Sequence, residues 1–442
     1  MSPARLLIAA VLLGGLAIGV WFSNKSEAAK AKEPPKDAAP KILALTEADI
    51  SGIDIQKKDG TDTVLKKDNG KWAITAPKPL GADQPSVDTL TSAVTNLTAD
   101  RMVDDHPTDL ASYGLQPPLE KVTFTMKDGK THELLIGDDT PTGSDVYAMV
   151  AGDPKLYTMS SFNKTSLDKS TKDLRDKRLM NFDQDKVSRV VLTAKKQTLE
   201  FGRINQNEWQ ILKPKPMRAD GFQVDDLVRK LAGANMDPAV SDEDAKKAAA
   251  AYASGTPVAT AQVTDPAGTQ TLEVRKNKDD YYAKSSVVEG IYKVPKDLGE
   301  GVDKSLDDFR NKKLFDFGFN DPNKIEFTDG GKTATYEKSG DKWVSGGKPV
   351  DSTSVQNLID KLRDFSATKF VDSGFTTPAI EVTVVSNDGK RTEKVQIAQA
   401  GDHYIARREG EPSLYEIDAQ PVKDLREAAS GVKPAAPETP KK

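Results

Sequence analysis

Cysteine is absent from the sequence. That rules out zinc–thiolate centres, thiol nucleophiles, iron–sulfur clusters, disulfides and a lipid-modified cysteine. Histidine is nearly absent: His106, His132 and His403 are the three, and no two stand four apart as a helical zinc pair requires. An excess of one charge is missing too. Lys and Arg total 63 against 67 Asp and Glu, a net −4 with the signs interspersed, which leaves no basic footprint for nucleic acid. The sequence holds no G-x-S-x-G nucleophile elbow, no G-x-G-x-x-G and no G-x-x-x-x-G-K-[ST]. Asp316–Gly318 spells D-F-G, but no H-R-D accompanies it. The acidic pairs Asp104-Asp105, Asp138-Asp139 and Asp279-Asp280 lack the D-x-D-x-D-G spacing that surrounds calcium. No catalytic residue, cofactor or metal ligand is therefore expected.

What is present begins with Leu6–Phe22, 17 uncharged residues after Arg5. As a helix this run would be about 26 Å long, enough to cross a bilayer core. It predicts an uncleaved signal anchor over residues 1–22. The chain would then be single-pass in the inner membrane, with its bulk periplasmic or otherwise extracytoplasmic. Residues 23–41, rich in Ala, Lys and Pro without apolar periodicity, read as a flexible linker, and 431–442 as a disordered tail.

Between them the sequence repeats itself. Trp72, Trp209 and Trp343 recur at near-equal spacing (209 − 72 = 137 and 343 − 209 = 134), in the contexts NGKWAI, QNEWQI and GDKWVS. Before each lie two alternating segments joined by a polar turn, a hairpin signal. After each come Asp83, Asp220 or Asp351, a valine four residues on, and leucines at helical spacing. Aspartate ahead of an amphipathic run is an N-cap, whose carboxylate accepts from free first-turn N–H groups. A second block of hairpins follows, with Asp-Gly turns at Asp128-Gly129 and Asp388-Gly389 and Gly268 in that role in the middle copy. Aligned tyrosines come next (Tyr147, Tyr282 and Tyr404, then Tyr157, Tyr292 and Tyr415), as buried strand aromatics. The loop Gly137–Tyr147 combines Gly, Pro, Thr and Asp between two strands, and reads either as a longer hairpin connection or as a binding loop of the first unit. Each copy closes on one phrase: KDLRDKRLMNF, then DDFRNKKLFDF, then a shortened KDLREAA. It reads as a short helix at the junction, with Arg175, Arg310 and Arg426 aligned and each pairing with a carboxylate or clamping one repeat to the next.

In the order ISGIDIQ, NGKWAI, LGADQPSVDTLTSAVTNLTADRMV, YGLQPP, LLIGDDTPTGSDVYAMV and KDLRDKRL, the sequence resembles the bacterial family called domain of unknown function 4340. The resemblance is best over residues 42–182, extends through the second copy and degenerates in the third, where YGLQPP becomes SGFTTP. It implies an envelope protein, without established enzymatic activity, and for some members an association with ABC transporters of the gliding-motility type.

The expected fold class is α+β: an N-terminal transmembrane helix, then three tandem related units of mainly antiparallel sheet with packed helices. The units are 42–182, 183–318 and 319–430, the last truncated. The expected function is a non-enzymatic, membrane-anchored scaffold or protein-binding module of the envelope, with the membrane and an envelope protein as partners and no nucleic acid. One alternative is an envelope hydrolase or glycan-processing enzyme whose carboxylates converge between units. A sugar or lipid receptor, which would expose the tryptophans, is a third.

Overall fold

Ile53, Ile55 and Leu65 alternate with polar neighbours, and each is at most 1% exposed. One apolar face on a pleated strand must be covered, so such segments pair into a sheet and recruit a helix. A computed structural model describes residues 40–205, 208–237, 242–319 and 322–436. It shows this arrangement three times, in sheets of nine, eight and nine strands.

The first sheet runs Leu80–Gly81, Lys71–Ala76, Asp62–Asp68, Ile50–Lys57, Glu120–Met126, Thr131–Asp139, Asp145–Val150, Leu156–Ser160 and Arg101–Asp104, in spatial order. The chain meanders outward to one edge, and helix Gln84–Thr95 and strand Arg101–Asp104 follow. It re-enters at the centre, where Ile53 lies opposite both Leu65 and Phe124. Val87, Leu90 and Val94 of the helix are buried in the same core. In the second sheet Leu192 lies opposite Leu199 and Ala261, beneath helix Gly221–Ala232. In the third, Ile325 lies opposite Tyr336 and Val384, beneath helix Ser352–Asp364. Three separate cores result, one per sheet. The chain falls into two compact units divided between Lys177 and Arg178, and the second unit contains the second and third sheets.

The expected α+β chain led by a transmembrane helix is corrected by this architecture. The protein is mostly antiparallel sheet. Among the described residues no helix is long and apolar enough to cross a membrane. The physical reason is that each covering helix is a 12- or 13-residue amphipathic segment with one apolar stripe facing a sheet, whereas a bilayer needs about 20 residues apolar all round. The run Leu6–Phe22 lies outside the described residues, as do the linker up to residue 39 and the tail from 437.

The repeated phrase has two halves with different duties. Its first half closes the outer edge of the sheet just built. Asp83 N–H donates to the Leu174 carbonyl at 2.8 Å, and Asp176 N–H to that of Gly81 at 2.8 Å. The same pair recurs as Asp220 to Phe309 at 2.8 Å and Asn311 to Arg218 at 3.1 Å. Its second half opens the next sheet: Leu179 N–H donates to Ala234 at 2.8 Å, and Leu314 N–H to Phe365 at 2.9 Å. Helix is confined to the turns Thr171–Leu174 and Leu306–Asp308. These are capped reciprocally by Ser170 with Asp173 and Ser305 with Asp308, a Ser-x-x-Asp signal readable in the sequence. The residue between the paired positions is Arg175 in one case and Arg310 in the other, bridged to Ala82 and Ala219.

Phe309 is 2% exposed and its ring lies 4.8 Å from that of Phe201, so the junction also plugs the core. Phe309→Ala is expected to cost about 3–5 kcal/mol. The check is a fall in the urea midpoint with an unchanged m value.

Candidate functional site

Trp72, Trp209 and Trp343 are 3%, 3% and 6% exposed. Each lies opposite a base on the neighbouring strand: Lys67, Arg203 and Lys338. The cation stands over the ring at 5.2 Å for Lys67 and 4.7 Å for Arg203. Gln84 brackets Trp72 by accepting from its N–H at 2.8 Å and donating to its carbonyl at 3.0 Å. The Trp209 indole donates to Asp225 at 2.8 Å. The Trp72 indole N–H is buried without a hydrogen-bond partner. Buried in this way, the three indoles form no exposed concave aromatic platform for a sugar or lipid. Asp83, Asp220 and Asp351 accept from the N–H groups of Ser86, Gln223 and Ser354 at 2.9, 3.3 and 2.9 Å, which places all three at helix N-termini.

The three arginines do not share one environment. Arg310 donates to Asp307 at 3.1 Å in its own repeat. It also donates to Ser413 Oγ at 3.0 Å and lies 3.4 Å over the Phe370 ring in the next. Arg426 instead lies inside helix Ala419–Ser430 and holds Asp329 through two N–H groups at 2.9 and 3.0 Å. The position of Arg175 and Arg310 is taken in the third repeat by Pro434, bridged to Val350. The likeness of KDLREAA to KDLRDKRL thus matches letters but not places, because one long helix stands where the other repeats have two short helical segments.

The histidines do not converge. His132 lies on a strand opposite Phe124, and His403 Nδ1 contacts its neighbour Asp402 at 3.0 Å. Among the described residues no group of three His, Asp or Glu could hold a metal. The loop Gly137–Tyr147 closes on itself: Thr140 N–H donates to Asp145 and Gly143 N–H to Thr140, both at 2.8 Å.

The densest chemistry lies within the second compact unit, where the second sheet meets the third. Arg218 ends an edge strand of the second sheet. Its Nε donates to Glu411 at 2.8 Å, one Nη to Asp316, and the other to the Lys313 carbonyl at 2.7 Å and the Tyr415 hydroxyl at 3.0 Å. Arg408 donates to Glu411 at 2.8 Å and Glu393 at 3.0 Å. Arg391 approaches Glu393 at 3.3 Å and Asp316 at 3.9 Å. Three guanidinium groups thus face three carboxylates. Burial opposes the charge on Arg218, but Asp316, Tyr415 and Glu411 outweigh it and raise its pKa. Burial likewise opposes charge on Asp316, yet Arg218 holds its carboxyl below the usual range. Burial pushes the Tyr415 hydroxyl up to about 12. A cleft of about 360 Å³ opens here, lined by Trp209, Arg218, Asn311, Asp316 and Arg391 among others. The carboxylates that converge between these repeats are each held by arginine. Neither the hairpin pattern nor the tryptophan spacing reveals Arg218. Aligning PMRAD with PLGAD does, since Gly81 holds its place in the first repeat.

A second group lies in the first compact unit. Glu120 is 4% exposed and its Oε1 has no hydrogen-bond partner. Burial first, and then Asp168, push its carboxyl up to about 7, against the pull of Lys57 and Lys164. Those two cations are engaged elsewhere, Lys57 with Asp168 and Lys164 with Asp139 at 3.2 Å.

Two expectations follow. Arg218→Met leaves Asp316 and Glu411 short of a partner and should cost about 3 kcal/mol, read as a lowered urea midpoint of the second compact unit. Glu120 binds its proton more tightly folded than unfolded, so its burial penalty is absent below about 4.5 and complete above about 7. Glu120→Gln should therefore match the wild type at pH 4.5 and exceed its stability at pH 8, in thermal melts across that range.

No curated protein and no solved structure matches the chain. A family described as a domain of unknown function matches residues 72–249 and again 209–380, two overlapping segments that open on Trp72 and Trp209. The tryptophan that spaces the repeats thus also begins both matches, and the chain belongs to that family, DUF4340.

Proposed function

We propose that this chain is a non-enzymatic scaffold that binds a protein partner in the bacterial cell envelope, auxiliary to an ABC-type export system. The observation that carries the reading is the Arg218 network: the polar groups gathered between repeats are consumed in fixing those repeats to each other. Within the second compact unit, two sheets joined in this way offer a fixed binding surface rather than a reaction centre. The apolar run Leu6–Phe22 supports export from the cytoplasm.

Glu120 favours a second reading, a carboxylate-dependent hydrolase. A buried acid raised to about 7 with a second carboxylate, Asp168, acting on it is a candidate general acid. At 4% exposure it is closed to substrate in this structure.

Affinity purification of the tagged full chain from its native envelope, with mass spectrometry, tests the first reading. A stoichiometric protein partner retained equally by wild type and Glu120→Gln is the expected outcome. Glycan or peptide hydrolysis by the purified chain that Glu120→Gln abolishes would replace it with the second.

A further inference from the structure

Comparing the three sheets at one edge shows what that edge accepts. In the first two repeats the N-cap aspartate N–H and the carbonyl two residues before it pair with an incoming segment through a single bridge at Arg175 or Arg310: Leu174–Asp176, just past the helical turn, in one, Phe309–Asn311 in the other. In the third the same two groups are met by Lys433–Ala435. Asp351 N–H donates to the Lys433 carbonyl at 2.8 Å, and Ala435 N–H to that of Pro349 at 3.1 Å. The main-chain pattern is conserved among the repeats, but the side-chain anchoring is not. Leu174 and Phe309 are 0% and 2% exposed, sealed into their cores. Lys433 is exposed, as are Pro434 and Ala436, and the one apolar side chain ahead of them, Val432, packs against the core only half-buried. The core place that Phe309 holds against Phe201 is filled in the third repeat by the end of helix Ala419–Ser430, where Ala429 accepts from Tyr336 at 3.1 Å. Besides the two main-chain bonds, Lys433 N–H donates to Ser354 Oγ at 3.2 Å. Beside the strap lies a cavity of about 610 Å³ lined by Val350, Asp351, Thr353, Ala435 and Ala436. It has room for a side chain larger than alanine.

We infer that the edge Pro349–Asp351 is a strand-addition site for an extended peptide segment of a partner protein, and that Lys433–Ala436 is its displaceable occupant in cis. Main-chain pairing supplies the affinity and the cavity takes one side chain, the usual division in strand addition. The incoming segment needs a carbonyl opposite Asp351 and a free N–H two residues later opposite Pro349, so proline is excluded there. Junction segments of this chain satisfy that rule, which shows that the edge geometry suits such an occupant. This inference rests on the protein-binding reading above and names its surface.

The test uses the full chain, wild type and Ala435→Pro, which removes the N–H that pairs with Pro349. A second variant stops after Ser430. The probe is a fluorescein-labelled peptide of the sequence Ser305–Lys313, followed by fluorescence polarisation, with circular dichroism confirming that each form is folded. Ala435→Pro and the shortened chain should bind the peptide about tenfold more tightly than wild type, and a peptide with proline in place of Asn311 should bind none of them. Equal affinity for all three forms, or no binding to the shortened chain, overturns the inference. Self-association of the shortened chain in light scattering that the peptide does not reverse also overturns it, in favour of a second copy as occupant. If the envelope partner is retained and the peptide fails to compete with it, this inference falls alone. If no form retains a partner, the protein-binding reading falls with it.

Discussion

A sheet edge exposes a row of N–H and C=O groups, and every repeat of this chain must satisfy the edge it creates. The chain meets that demand with its own next segment. A short closing segment bridges the position just before the N-cap aspartate, so one backbone N–H at Asp83, Asp220 or Asp351 is tied to the end of the same repeat. The aspartate side chain meanwhile holds the first turn of the covering helix. Edge closure and helix capping therefore fall on a single residue. The covering helix cannot shift without disturbing the edge, nor the edge without disturbing the helix.

Onto this shared frame the repeats place different side chains, and the differences decide how they assemble. At the residue two before the N-cap, the second repeat has Arg218 where the first has Gly81 and the third Pro349. Only the arginine can reach Asp316, Glu411 and Tyr415, and together with Arg310 on Ser413 and Phe370 it joins the second and third sheets within one compact unit. A charge this enclosed is stabilising only if fully partnered. Its N–H groups meet two carboxylates, a carbonyl and a hydroxyl, which is why the cluster tolerates three arginines and three acids in so small a volume.

Local order was legible in the sequence and convergence was not. The hairpins show in the alternation around Ile53 and Leu65, the caps in Asp83, Asp220 and Asp351, and the period in the tryptophans, because each depends on neighbours a few residues away. The balance of sheet over helix was harder to weigh, since an apolar run such as Leu6–Phe22 speaks loudly without showing what the other residues build. The Arg218 cluster draws on residues 218, 316, 393, 408 and 411, which no short window contains. Glu120 was invisible for the same reason. Nothing about Leu-Glu-Lys at 119–121 announces that Asp168 will lie nearby in a buried setting.

The third repeat shows how a repeated frame can acquire a distinct surface without a new fold. Merging two short helical segments into helix Ala419–Ser430 fills the core from within, so the closing segment keeps only the half-buried Val432 as an anchor. What it retains is the pairing demand of the edge itself, met by a segment whose Lys433 and Pro434 face solvent. In the first two repeats the closing strand is held by core packing plus main-chain bonds, and displacing it means opening a cavity worth several kcal/mol. In the third it is held by a few hydrogen bonds, each worth only about 1 kcal/mol net in water, and by the half-buried Val432. The same geometry is thus a permanent seam in two places and an exchangeable one in the third, and the distinction comes from where one apolar side chain was moved.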